Sequence, residues 1–137
     1  MKYLLDTNIL SELRKTHPAP FVERWYSTTR DADMHLSVMT IGEFQKGCAR
    51  LRLRDAARAE TLERWLDLLL RPYQSRILPI TPEIARVWGE LNSPEPLPII
   101  DAFIAATATV HDMVLVTRNV KDFTRTGVRL FNPFEPH

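Results

Sequence analysis

Hydrophobic and polar positions along this chain switch repeatedly between two spacings. Short apolar runs stopped by polar or turn residues read as buried strands. They are "KYLL" (residues 2–5), "MHLSVM" (34–39), "RILPI" (76–80) and "MVLVT" (113–117), with "VRLF" (128–131) as a last, short one. Helical spacing fills the intervals: "ILSELRK" (9–15), "FVERWYSTT" (21–29) after Pro18 and Pro20, and "TIGEFQKGCARLR" (40–52). Residues 55–70 place Leu62, Leu66, Leu69 and Leu70 on one face with Trp65 among them, an amphipathic helix closed by Pro72. "TPEIARVWGELN" (81–92) opens with Thr81 as cap and Pro82 at the first helical position. "SPEPLP" (93–98) is too proline-rich for either element and reads as an extended, exposed connector. Strands alternating with helices predict an α/β fold. The expectation is a three-layer sandwich, with a central, mainly parallel sheet of four to five strands flanked by helices, in a single domain over residues 1–137.

One position breaks the apolar pattern. In "PIIDAFIAATA" (98–108), Asp101 puts a carboxylate into an alanine-rich helical run. A buried helix rarely carries an unpaired charge. Parallel sheets bind ligands beyond the carboxyl ends of their strands, and the chain concentrates acids there. Asp6 directly follows the first strand, and Glu43 lies early in the helix after the second. Asp101 lies early in the helix that feeds "MVLVT". Thr117, Arg118 and Asn119 end that strand, with Asp122 just beyond. Four acids remote in sequence are thus predicted to meet at one edge.

Each acid also has a plain structural reading. Asp6 suits the N-cap of a helix starting at Thr7. Thr40 and Glu43 match a capping box. Asp101 suits a helix start behind Pro98, and Asp122 a turn. These readings do not require the acids to meet. Carboxylates that do meet repel one another until a proton or a cation is shared. Oxygen ligands suit Mg²⁺ or Mn²⁺, and such ions beside a phosphodiester promote its hydrolysis. His17, His35, His111 and His137 are scattered, and His35 and His111 read as surface or edge residues rather than ligands.

Composition narrows this only modestly. The 137 residues are 45% hydrophobic and 26% charged, as in a globular chain with its own core. No apolar run reaches the roughly 20 residues of a membrane helix. The opening "MKYLLDTN" meets an acid too early for a secretory signal. Cys48 is the single cysteine, so neither a disulfide within the chain nor a Cys-based zinc site is expected. A cytoplasmic location follows as the expectation. The net charge is only +1, yet Lys46, Arg50, Arg52, Arg54 and Arg58 crowd together with one acid, Asp55, among them. They form either a solvated face or a patch for nucleic-acid phosphates. Lys46 and Arg50 fall on the helical face of Glu43.

Four segments in order, "LLDTNILSEL", "LSVMTIGEFQKG", "IIDAFIAATA" and "LVTRNVKDF", resemble the PIN-domain family. More narrowly they resemble the VapC and FitB type of ribonuclease toxins of type II toxin–antitoxin pairs, and the ending "VRLFNPF" adds to the likeness. The resemblance spans essentially the whole chain. It implies a catalytic set of Asp6, Glu43 and Asp101 holding Mg²⁺ or Mn²⁺, with Thr7, Asn8 and Thr117 in support. Where many relatives carry an Asp after Thr-Arg, this chain has Asn119, which leaves Asp122 or Asn119 for the fourth position. The implied partners are a cognate antitoxin, an RNA substrate and a second copy of the chain, with promoter DNA reached only through the antitoxin. An alternative expectation is a weakly active or inactive module that serves mainly in a DNA-binding complex with its antitoxin. Two other acid-pocket folds do not match. A haloacid-dehalogenase-like phosphatase needs an acid where Asn8 stands, and a receiver domain needs paired acids at the first strand and a Lys where Arg118 stands.

Overall fold

A computed structural model describes all 137 residues. Five strands, β1 (Tyr3–Leu5), β2 (Met34–Ser37), β3 (Ile77–Leu78), β4 (Val114–Val116) and β5 (Leu130–Phe131), form one sheet in the order β3-β2-β1-β4-β5. Every neighbouring pair is parallel, and the central strand registers Leu4 with His35 on one side and with Leu115 on the other. Helices α1 (Thr7–Leu13), α2 (Pro20–Thr28), α3 (Val38–Arg52), α4 (Ala56–Leu70), α5 (Pro82–Leu91), α6 (Ile99–Val110) and the short α7 (Val120–Phe123) complete the chain.

Side-chain alternation on the strands divides the core in two. Leu5, Met34, Leu36 and Val116 face one side, where Ile9 and Leu10 of α1, Trp25 of α2, Phe44 and Cys48 of α3 and Leu66 of α4 cover them. Leu4 and Leu115 face the other, against Ile104, Ala105 and Ala108 of α6 and Phe123 of α7. The alanines keep α6 close to the sheet, and Trp88 of α5 stacks on Phe103 of α6 at 4.8 Å. The result is the three-layer sandwich expected from the pattern, with five strands.

The element boundaries differ from the reading at one informative place. "MHLSVM" is not a six-residue strand: β2 stops at Ser37, and Val38 and Met39 already belong to α3. The Ser37 hydroxyl accepts the Met39 amide at 3.0 Å and caps the helix. Thr40 therefore lies inside the first turn, and its buried hydroxyl has no partner. The capping box between Thr40 and Glu43 does not form, so the Glu43 carboxylate is free for another use. "RILPI" contributes only Ile77–Leu78 to the sheet. His35 is buried within β2 rather than on the surface. Thr81 and Pro82 start α5 as expected, with the Thr81 hydroxyl accepting from the Ile84 amide at 3.2 Å.

Candidate active site

The strand order places a switch point at the centre of the sheet. From β1 the chain moves outward to β2 and β3, then returns to lay β4 on the opposite flank of β1. The crevice beyond the carboxyl ends of β1 and β4 is where a parallel sheet of this kind receives ligands. Asp6 follows β1 there and Thr117 follows β4. Their strands are stitched together by the Asp6 amide donating to the Val116 carbonyl at 2.9 Å.

Asp6 is 4% exposed and held by neutral donors only. The Thr7 amide donates to Oδ1 at 2.8 Å, the Thr117 hydroxyl to Oδ2 at 2.7 Å, and Asn8 Nδ2 to Oδ2 at 3.2 Å. Asp6 is thus the N-cap of α1, and it is also more than that. Thr117 is fully buried and uses its whole hydrogen-bonding capacity: it donates to Asp6 and accepts from Asn8 Nδ2 at 3.1 Å and the Asn119 amide at 3.0 Å. Asn8 in turn accepts the Arg118 amide at 3.2 Å. Asn8 and Thr117 therefore fix both the acid and the start of the loop after β4.

Glu43 reaches the same edge from α3. Its Oε1 accepts a hydrogen bond from the Thr7 hydroxyl, so Thr7 serves Asp6 with its amide and Glu43 with its side chain. Asp101 sits in the first turn of α6, half-buried and without a hydrogen-bond partner. Its pKa is pushed up to about 6, by burial first and then by the charges of Asp6, Glu43 and Asp122. Asp6 is also raised, again by burial above all, with Glu43 adding to it and the three hydrogen bonds opposing. Asp122 lies exposed on α7, and Asn119 is exposed at the rim.

The acids thus lie within electrostatic reach of one another, and none of them takes part in any of the chain's six ion pairs. They are not drawn into a closed ligand set, since no three acidic, His or Cys side chains gather closely enough to hold an ion as they stand. Like charges repel, and Asp6 and Glu43 have taken neutral hydroxyl and amide donors instead. The donors themselves are hard oxygens outside any ion pair, which is the chemistry that suits Mg²⁺ or Mn²⁺.

The basic cluster divides. Lys46 and Arg50 are exposed on α3 and are not among the side chains that line the recess beside Glu43. Gly47 and Leu51, four and eight residues beyond Glu43, line that wall. Arg52 is tied to Glu63 on α4. Arg54 and Arg58 do line the recess, and Arg14, at the C-cap of α1, joins them. Sequence reading missed Arg14. Its only local signal was a cation, followed by Lys15, ending a helix whose other end is Asp6.

Comparison with known proteins bears on the family and the fold. The model of the PIN domain matches residues 3–128. The toxin FitB of Neisseria gonorrhoeae is 31% identical over 96% of this chain and 97% of its own. The VapC ribonuclease Y4jK of Sinorhizobium fredii is 30% identical over 97% of this chain and 98% of its own. Among solved structures, FitAB bound to an IR36 DNA fragment superposes with a TM-score of 0.87 at 30% identity, covering 98% of this chain and 97% of the other.

Proposed function

The chain belongs to the PIN-domain family, and from that premise we propose that it is the toxin of a type II toxin–antitoxin pair, a Mg²⁺- or Mn²⁺-dependent endoribonuclease. The observation that carries the reading is the unneutralised carboxylate group at the switch point, with Asp101 raised to about 6 by burial and by its acidic neighbours. Such a group costs stability in the free protein and is retained where a cation completes it. The likeness to a relative named a ribonuclease and to one named a toxin supports the same conclusion.

Asp6, Asp101 and Glu43 would hold the ion. Once bound, it supplies an acidified water and a counter-charge for the phosphate. Asp6 is the fixed reference, since Thr117, Asn8 and the Thr7 amide leave its carboxylate one orientation. Asp101 is unencumbered and free to turn toward the incoming ion. Glu43, tethered by Thr7, would take a proton from water. Asp122 and Asn119 stand at the rim, where a carboxylate or an amide oxygen orients water. Outer partners of this kind set ligand direction and basicity.

The cognate antitoxin is the expected protein partner, with promoter DNA bound through it, as the DNA-bound FitAB structure suggests by likeness. An arginine offered by the antitoxin would satisfy crowded carboxylates in place of the ion. A homodimer or a hetero-oligomer with the antitoxin is the assembly we propose. No helix is long and apolar enough to cross a membrane, and the cytoplasm is the proposed location.

The test uses the purified chain freed of its antitoxin, incubated with structured RNA. Cleavage with Mg²⁺ or Mn²⁺, its loss in EDTA, and its loss together with growth arrest in Asp101→Asn are the expected results. Metal-independent cleavage that survives Asp101→Asn would overturn the proposal. Absence of toxicity with intact operator binding by the pair would replace the nuclease with a regulatory module.

A further inference from the structure

Glu43 lines two features. One is the acidic crevice; the other is an adjoining recess of about 230 Å³ with the opposite charge. Three guanidinium side chains from three places in the fold meet there: Arg14 at the C-cap of α1, Arg54 in the turn between α3 and α4, and Arg58 in the first turn of α4. Apolar walls come from Phe44 and Leu51 of α3 and Leu62 of α4.

Two observations leave positive charge uncompensated in this recess. First, none of the three guanidinium groups makes an ion pair, whereas the neighbouring Arg52 is tied to Glu63. Glu43 is the only acid lining the recess, and its Oε1 is already engaged by Thr7. Second, Arg54 and Arg58 stand at the amino end of the fifteen-residue α4, where the helix dipole is positive and a cation is disfavoured. Asp55 caps that end through the Arg58 amide at 3.1 Å but forms no ion pair with either guanidinium. The positive charge is left for an incoming anion. Guanidinium forks fit phosphate in two-pronged contacts, and the apolar walls suit the ribose beside it.

We propose that Arg14, Arg54 and Arg58 form a phosphate subsite that holds a nucleotide of the RNA strand flanking the cleaved linkage. The inference rests on the nuclease reading and deepens it. Glu43, shared by the crevice and the recess, makes the two contiguous, so one strand meets the acids at one phosphodiester and the guanidinium groups at another. These arginines are positioning residues; they touch no reacting atom.

The experiment measures binding of a fluorescent single-stranded oligoribonucleotide to the full chain carrying Asp101→Asn, which keeps the probe intact, over a series of salt concentrations. Each phosphate contact on a single strand contributes a slope of about 0.7 in log affinity against log salt. Adding Arg14→Gln and Arg58→Gln together should lower the slope by about 1.4. The double Lys variant at the same positions should keep the slope, because charge is retained. Arg30→Gln, before β2 at the other end of the sheet, should leave slope and affinity unchanged. In the otherwise wild-type enzyme the double Gln variant should raise KM with little change in kcat, the signature of lost uniform binding. An unchanged salt slope would overturn the subsite. So would a loss confined to antitoxin affinity, which would assign the recess to an acidic segment of the protein partner. Cleavage by the wild-type chain reports on the nuclease reading separately, since the slope is read without any cleavage.

Discussion

The two ends of α1 each carry a buried acid, and the two are treated in opposite ways. Glu12 is 6% exposed, close to the 4% of Asp6. Glu12 brings its own cation: Lys15 Nζ lies 2.9 Å from Oε1, and the Ala19 amide donates to Oε2 at 2.8 Å. Its pKa is lowered, first by the Lys15 hydrogen bond. Asp6 has three neutral donors and no cation, and its pKa is raised, by burial above all and then by Glu43, against the pull of those hydrogen bonds. Surface exposure is alike, but Asp6 lies deeper in the fold, and only Glu12 has a cation beside it. An acid that only holds structure is neutralised within the fold; the acids at the switch point leave that neutralisation to a ligand.

The largest expected effect tests that contrast directly. Asp6→Asn should reduce RNA cleavage by more than the roughly 100-fold that removal of an outer partner costs, while Glu12→Gln should leave it unchanged. Single-turnover assays at saturating metal would measure both. Equal losses would erase the distinction.

Next comes Thr117→Val, nearly isosteric, which removes the one hydroxyl joining Asp6, Asn8 and the Asn119 amide. Cleavage should fall about 10- to 100-fold, and stability by about 1–3 kcal/mol for the stranded buried partners. Denaturant unfolding beside the kinetic assay separates the two.

Glu12→Gln sharpens the comparison on the stability side. The variant should lose about 1.5–3 kcal/mol at neutral pH, as charged hydrogen bonds are lost. The loss should shrink in acid. A lowered folded-state pKa gives stability that is present above the ordinary value of 4.5 and disappears as pH falls through the folded value.

Asp101→Asn carries the smallest change and the reverse sign. In the metal-free wild type, a carboxyl raised from 3.8 to about 6 binds its proton more tightly when folded. Stability therefore rises as pH falls from about 6 toward 4 and is lost as pH climbs back. Asp101→Asn should stabilise the metal-free chain at pH 7 by about 1 kcal/mol, a figure already reduced for the partial exposure of the side chain. Mg²⁺ or Mn²⁺ should raise the unfolding midpoint of the wild type and not of the variant. A destabilised Asp101→Asn would sink the idea that these acids wait for a cation.

Much of the fold was legible because strand and helix periods are local. "MVLVT" became β4, and Thr81 with Pro82 started α5 where composition said. The start of α3 was misread because Ser37 and Thr40 are both plausible caps in sequence. Only the observed hydrogen bond from Met39 chooses Ser37, and that choice removes Glu43 from the capping role. The acids were legible as residues at strand ends. The division of the basic cluster was not, because it depends on which face of α3 the α4 hairpin covers.

The sequence by itself determined the alternation of buried strands and amphipathic helices, and it put an acid after β1 and near the starts of α3 and α6. Apolar period and capping chemistry act between near neighbours, so one chain segment is enough to display them. Tertiary structure alone decided that Thr117 would hold Asp6 across 111 positions and Thr7 would hold Glu43 across 36. It also decided that Arg14 would join Arg54 and Arg58. Those contacts come from the sheet order and the packing of α1 against α3, which bring together groups that no local preference links.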